Sequence, residues 1–149
     1  MQKKYFETQN EKETLEFGKR LSEVLPAGSV VCLDGDLGVG KTVIARGIAM
    51  GLGIDEPVTS PTFTIIHEYE SGRMPFYHFD VYRIADPDEM DELGYEEYFY
   101  SQGITLVEWG SLIEELFPED TVYIRVEKVP GEDFDRRRIE VSAQKDIDI

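Results

Sequence analysis

Residues 30–53, VVCLDGDLGVGKTVIARGIAMGLG, constrain this chain more than any other stretch. A short apolar run reads as a buried parallel strand, and its five-residue body leaves no room for a helix. Glycines then interrupt the pattern, and from Lys41 the spacing returns to helix, with Gly53 as a terminator. Gly35, Gly40, Lys41 and Thr42 satisfy G-x-x-x-x-G-K-[ST], a pattern that ordinary residue frequencies produce by accident in roughly one chain in 200 of this length. The preceding strand and following helix make an accidental match rarer still.

The spacing explains the chemistry. A polyphosphate needs several donors converging on it, and successive backbone N–H groups of a wrapping loop plus a helix N-terminus supply them. The segment Gly35, Asp36, Leu37, Gly38, Val39, Gly40, Lys41, Thr42 and Val43 is therefore the expected nucleotide cradle. Lys41 is placed to reach the β- and γ-phosphates, and the Thr42 hydroxyl to ligate Mg²⁺.

A chain of 149 residues with 41% hydrophobic content predicts one domain spanning 1–149, with a frayed tail over 145–149. It contains no apolar run of about 18 residues, and the N-terminal MQKKYFETQNEKE is too polar for a signal peptide, so a soluble cytoplasmic protein is expected. Cys32 is the one cysteine, and His67 and His78 are the only histidines; a cysteine or histidine metal centre is excluded, whereas carboxylates abound for a hard cation. The net charge of −16 disfavours gripping a nucleic-acid backbone directly. Arg136–Arg138 form the densest basic cluster, read as an exposed strand or loop that balances nearby acids.

Around this core, Asn10 and Glu13 form a capping box before a helix that runs to about Pro26. TFTIIHEY and PFYHFDVYRI read as an antiparallel pair. In the second run Tyr77, Phe79 and Val81 alternate with His78, Asp80 and Tyr82, the latter set on a wetter face. Two short acidic helices break near Gly94; ITLVEW is a buried strand, SLIEELF a short helix, and TVYIRVEKV and RRIEVSA are late strands. The fold class expected is α/β: a single-domain nucleotide-phosphate fold with a central parallel sheet, added antiparallel strands and flanking helices.

Hydrolysis requires a metal-holding acid and a group that places water. Glu108 ends an apolar strand, where a parallel sheet presents side chains to its ligand crevice. Patterning leaves Asp80 open between that role and a solvated strand face. Ser60-Pro61-Thr62 could sense the γ-phosphate or form only a rigid turn. No N-K-x-D guanine-recognition element exists, since Asn10 is the only asparagine, and this favours ATP. A kinase, or a nucleotide-gated interaction module with negligible hydrolysis, uses the same loop.

Five segments in order, GDLGVGKT (35–42), RGIAMGLG (46–53), VTSPTF (58–63), YHFDVYR (77–83) and LVEW (106–109), are together similar to the bacterial TsaE family. That family is the ATPase subunit of the system that makes threonylcarbamoyladenosine in tRNA. The resemblance implies ATP and Mg²⁺ as cofactors, and TsaD-type transferase and TsaB-type proteins as partners. It also implies that tRNA is contacted only through the complex. It places Asp80 and Glu108 in the metal and water machinery with Lys41 and Thr42, makes Thr62 part of a switch-like segment, and assigns Thr8, Glu11 and Thr14 to the adenine.

Overall fold

A computed structural model describes residues 2–36, 39–59, 66–131 and 134–149. Leu37, Gly38, Ser60, Pro61 and Thr62 of the expected site lie outside the described residues. The element order is β1 (Gln2–Thr8), α1 (Glu11–Val24), β2 (Val30–Asp34), α2 (Lys41–Gly51), β3 (Ile66–Tyr69), β4 (Phe76–Asp80), α3 (Glu89–Glu92), α4 (Tyr95–Phe99), β5 (Ile104–Glu108), a 3-10 segment (Gly110–Leu116), β6 (Val122–Lys128) and β7 (Arg137–Ala143).

One seven-stranded sheet runs β1-β7-β6-β2-β5-β4-β3. Its centre, β6-β2-β5-β4, is parallel. The antiparallel additions are β7 and β1 at one edge and β3 at the other. This is the expected mixed sheet with flanking helices. In register, β5 puts Glu108 opposite Leu33 of β2 on one side and Asp80 of β4 on the other. The ends of three parallel strands therefore meet where β2 runs into the glycine loop.

Some local features add to the sequence reading or differ from it. QKKYFET, judged from sequence only too polar for a signal peptide, forms edge strand β1, with Thr8 its last residue. Its apolar alternation is diluted because one face is solvated and Lys4 shares the inner face with Phe6. SLIEELF forms the expected short helix, wound as 3-10 and interrupted at Ile113 (φ −126°, ψ 28°). The supposedly wetter face of β4 is covered: His78 and Phe79, on opposite faces, are both wholly buried. Helices α1 and α2 close one side of the sheet, and α3, α4 and the 3-10 segment close the other. The 145–149 tail, expected to fray, lies against the core through Ile147 and Ile149, with the Lys4 ammonium donating to the Ile147 carbonyl at 2.5 Å.

The N-cap bond forms as the sequence predicts, the Glu13 N–H donating to Asn10 Oδ1 at 2.9 Å, while the Glu13 carboxylate reaches one residue past the cap and accepts the Gln9 N–H at 2.9 Å. Phe17 and Leu21 of α1 are fully buried with Ile44 and Ile48 of α2, each such side chain contributing about 1.5–3 kcal/mol. The two helices approach backbone to backbone. A Cβ on Gly18 would stand 2.5 Å from the Ile44 carbonyl oxygen, and one on Gly47 would stand 2.2 Å from that of Leu15. This contact fixes the start of α1 beside the glycine loop. No helix among the described residues is long and apolar enough to cross a membrane.

Candidate active site

The glycine loop leaves β2 at Asp34 and enters α2 at Lys41. Gly35 is required by crowding, since a Cβ there would come within 2.8 Å of both the Val126 carbonyl and Val39 Cγ1. Gly40 is required by conformation: its φ is 111°, although nothing stands closer than 3.9 Å to an added Cβ. Asp36 accepts the Val39 N–H through its carbonyl at 3.3 Å, and Val39 is buried. Thr42 and Val43 follow, half-buried, in the first turn of α2, which carries no acidic residue to compete for an anion.

Lys41 is 6% exposed, and its ammonium has no hydrogen-bond partner among the described residues. It stands 3.9 Å from Glu108 Oε1 and 3.9 Å from the centre of the Trp109 ring. Burial pulls the lysine's proton affinity below its ordinary value, while Glu108, then Asp80, Asp34 and Asp36, act in the opposite sense. A desolvated, orphaned cation at a glycine loop and helix N-terminus fits a polyphosphate, which would supply the missing acceptors. Trp109 reaches over Lys41 because its backbone adopts φ 62°, ψ 27°, the single positive φ outside glycine among the described residues. Its ring also meets Tyr82, with centroids 4.9 Å apart. The left-handed turn costs about 1–2 kcal/mol, and the cation–π contact and aromatic packing offset part of that.

Glu108 is buried, and its Oε2 lies 2.5 Å from His78 Nε2. Asp80 is half-buried, and its Oδ1 accepts the Tyr82 N–H at 3.0 Å. Burial, first of all, raises the Asp80 carboxyl above its ordinary value; the Tyr82 N–H lowers it, Glu108 raises it, and Lys41 and His78 lower it. Among the described residues no three His, Cys, Asp or Glu side chains converge as a self-sufficient metal cage. Two carboxylates and a hydroxyl beside a phosphate cradle nevertheless suit Mg²⁺, which takes one or two protein carboxylates and completes its shell with phosphate oxygens and water.

The raised Asp80 carboxyl has a measurable consequence. The folded chain holds that proton more tightly than the unfolded chain, so ionising Asp80 at neutral pH works against the fold. Asp80→Asn keeps an acceptor for the Tyr82 N–H and removes the charge. It should melt higher than the wild type at neutral pH, and the difference should shrink as pH falls through the raised value toward the usual carboxylate range of about 4. Thermal denaturation at both pH values checks this, and a lower melting point at neutral pH would contradict it.

The N-terminal candidates separate in space. The Thr8 and Thr14 hydroxyls lie 2.7 Å apart, both buried, and Thr14 Cγ2 is 3.9 Å from the position a Gly40 Cβ would take. Glu11 is exposed and borders a mainly apolar cavity of about 420 Å³, shared with Leu15, Val43, Met50 and Val58. A second cavity, about 450 Å³, opens on the other side of the loop between Asp34, Asp36, Trp109 and Arg125.

Sequence reasoning overlooked three residues. His78 and Trp109 stood inside HFDVYR and VEW, but alternation alone put His78 on a wet face and gave Trp109 no role. Within Arg136–Arg138, Arg136 does balance an acid, pairing with Glu7 at 2.8 Å. Arg137 instead donates through Nε to the Val39 carbonyl at 2.6 Å and clamps the phosphate loop to β7.

Comparisons with known proteins identify the family. Residues 8–139 match the family model described as threonylcarbamoyl adenosine biosynthesis protein TsaE. The tRNA threonylcarbamoyladenosine biosynthesis protein TsaE of Bacillus subtilis (strain 168) is 48% identical over 126 residues, covering 85% of this chain and 78% of the relative. The Haemophilus influenzae protein of the same name is 37% identical over 138 residues, covering 89% and 85%. The crystal structure of Bacillus subtilis YdiB superposes with a TM-score of 0.83 at 40% identity, covering 97% of this chain and 87% of that one. Because the matched span runs from the last residue of β1 into β7 and takes in every strand between, this chain belongs to the TsaE family.

Proposed function

We propose that this protein is the Mg²⁺-dependent ATP-binding and ATP-hydrolysing subunit for tRNA N6-threonylcarbamoyladenosine biosynthesis, supporting turnover of a TsaD–TsaB-type transferase complex in the cytoplasm. The observation that carries the ATPase reading is the buried ammonium of Lys41, without a hydrogen-bond partner among the described residues, between the glycine loop and Glu108. Bound Mg²⁺-ATP supplies the transferable γ-phosphoryl group and the cation that shields its charge. The backbone of Gly35–Val43 and the Lys41 ammonium bind the polyphosphate and neutralise it as charge redistributes. The Thr42 hydroxyl and Glu108 hold the cation, and Asp80, beside Glu108 in register, orients metal or attacking water. Val43, Thr8, Thr14, Glu11 and Thr62 complete the nucleotide site.

Net charge supports this division of labour. With −16 overall, the chain reaches tRNA through partner proteins rather than by gripping the backbone itself. The test is ATP hydrolysis with and without the transferase pair, run beside multiple-turnover tRNA modification. The pair should raise phosphate release, and modification beyond one round per complex should require hydrolysable ATP. Independence of both outputs from hydrolysis overturns the role. A labelled γ-phosphate that appears on an acceptor rather than as inorganic phosphate makes the protein a kinase instead.

A further inference from the structure

The carboxylate of Glu108 has two oxygens in different situations. Its Oε2 is held by His78 Nε2 at 2.5 Å, and its Oε1 faces the Lys41 ammonium at 3.9 Å, too far for a hydrogen bond. His78 is wholly buried on β4, two residues before Asp80 and on the same face of the strand. Its ring stacks on Phe76 at 17° and 6.0 Å, and Phe76 stacks on Tyr69 at 25° and 5.9 Å, so the imidazole plane is fixed by packing. A carboxylate can only accept, which puts the ring hydrogen on Nε2. Nδ1 has no partner among the described residues.

We propose that His78 is a positioning residue for Glu108: it ties down one carboxylate oxygen and thereby leaves the other directed into the phosphate site, free of a closed ion pair with Lys41. This rests on the reading of Glu108 as the metal-holding acid. The reason for such a restraint is electrostatic. A buried carboxylate and ammonium left to themselves close to direct contact, and that contact would have to open before either could meet phosphate or cation. With Oε2 already bonded, Glu108 offers Oε1 as a single oriented ligand, while Lys41 remains without a hydrogen-bond partner among the described residues. Residues that orient a metal ligand in this way carry about 10–100-fold in metal affinity.

The test has two independent arms. In the nucleotide-free protein, labelling the two histidines with ¹⁵N should show the His78 ring as the Nε2–H form, with an N–H proton protected from exchange with water. An Nε2 that carries no hydrogen, or whose hydrogen exchanges rapidly, overturns the geometry whatever the protein does with ATP. In the second arm, the Mg²⁺ concentration that half-saturates partner-stimulated hydrolysis should rise at least about tenfold in His78→Phe. His78→Phe keeps an aromatic ring over Phe76 and loses the donor. At saturating Mg²⁺ its rate should lie within a few-fold of the wild type. His78→Gln returns an N–H to the position of Nε2 and should recover most of the Mg²⁺ affinity. An unchanged Mg²⁺ requirement in a folded His78→Phe variant, or equal losses in Phe and Gln, removes the positioning role. Wild-type hydrolysis that ignores Mg²⁺ would instead sink the functional reading, and the ring would still be judged on its own spectrum.

Discussion

Lys41→Ala should reduce partner-stimulated ATP hydrolysis by at least about 10²-fold, the scale seen when one preorganised electrostatic donor is removed from a transferring centre. Lys41 is buried at the mouth of the glycine loop, and its ammonium has no hydrogen-bond partner among the described residues. Arg137 cannot take its place, because its guanidinium is committed to the Val39 and Phe134 carbonyls. The loss should not be a folding defect. Because burial lowers the lysine's proton affinity, the folded chain holds that proton less tightly than the unfolded chain, and stability from this group rises with pH only between the lowered folded value and the usual lysine value of about 10.4. At neutral pH the charge therefore opposes folding. Lys41→Met, which keeps most of the aliphatic stem against Trp109, should lose hydrolysis equally while melting no lower than the wild type. Trp109 is the only tryptophan and lies against the ammonium, so its emission offers a direct check that the site remains formed in each variant. Near-normal turnover by either folded variant would falsify the assignment of Lys41.

Gly47→Ala should destabilise the fold by on the order of 2 kcal/mol, against the direction that helix propensity predicts. In an uncrowded helix the change would stabilise by about 1 kcal/mol. Here the new methyl would sit 2.2 Å from the Leu15 carbonyl oxygen and 3.0 Å from both Gly18 Cα and the Lys19 nitrogen. All three are backbone atoms of α1, which cannot rotate aside. The helices must separate, loosening Phe17 and Leu21 against Ile44 and Ile48 and shifting Thr14 away from Gly40. Chemical denaturation decides the sign. A stabilised variant would mean that α1 is not in backbone contact with α2. Nucleotide affinity measured on the same protein should fall with stability, since the N-terminal half of the proposed site rides on α1.

The parts legible from sequence were those whose physics is local. The apolar strand before Gly35, the helix that starts at Lys41, the Asn10–Glu13 cap and the break at Gly94 each follow from residues within a few positions of one another. Glu108 could be singled out because it ends a run of four apolar or β-branched residues in a strand that is buried throughout. Strand β1 failed the same reading because an edge strand with one solvated face carries a weak alternation, and its partner β7 lies more than a hundred residues away. Alternation likewise describes two faces without saying what covers them, so His78 was placed on a wet side that α1 and α2 in fact close.

What the sequence by itself determined is the order of strand, glycine loop and helix, with Lys41 at the helix start, because these are consecutive in the chain and follow from local pattern. What only the tertiary structure decided is the company that lysine keeps. The pairing of β4 with β5 brings Asp80 and His78 to Glu108 across about 30 residues of chain, and β7 carries Arg137 to Val39 across 98. Strand order and register set those meetings, and they depend on which strands find each other in the sheet. Periodicity along a single strand records which face a side chain takes, but not whose side chain stands opposite it.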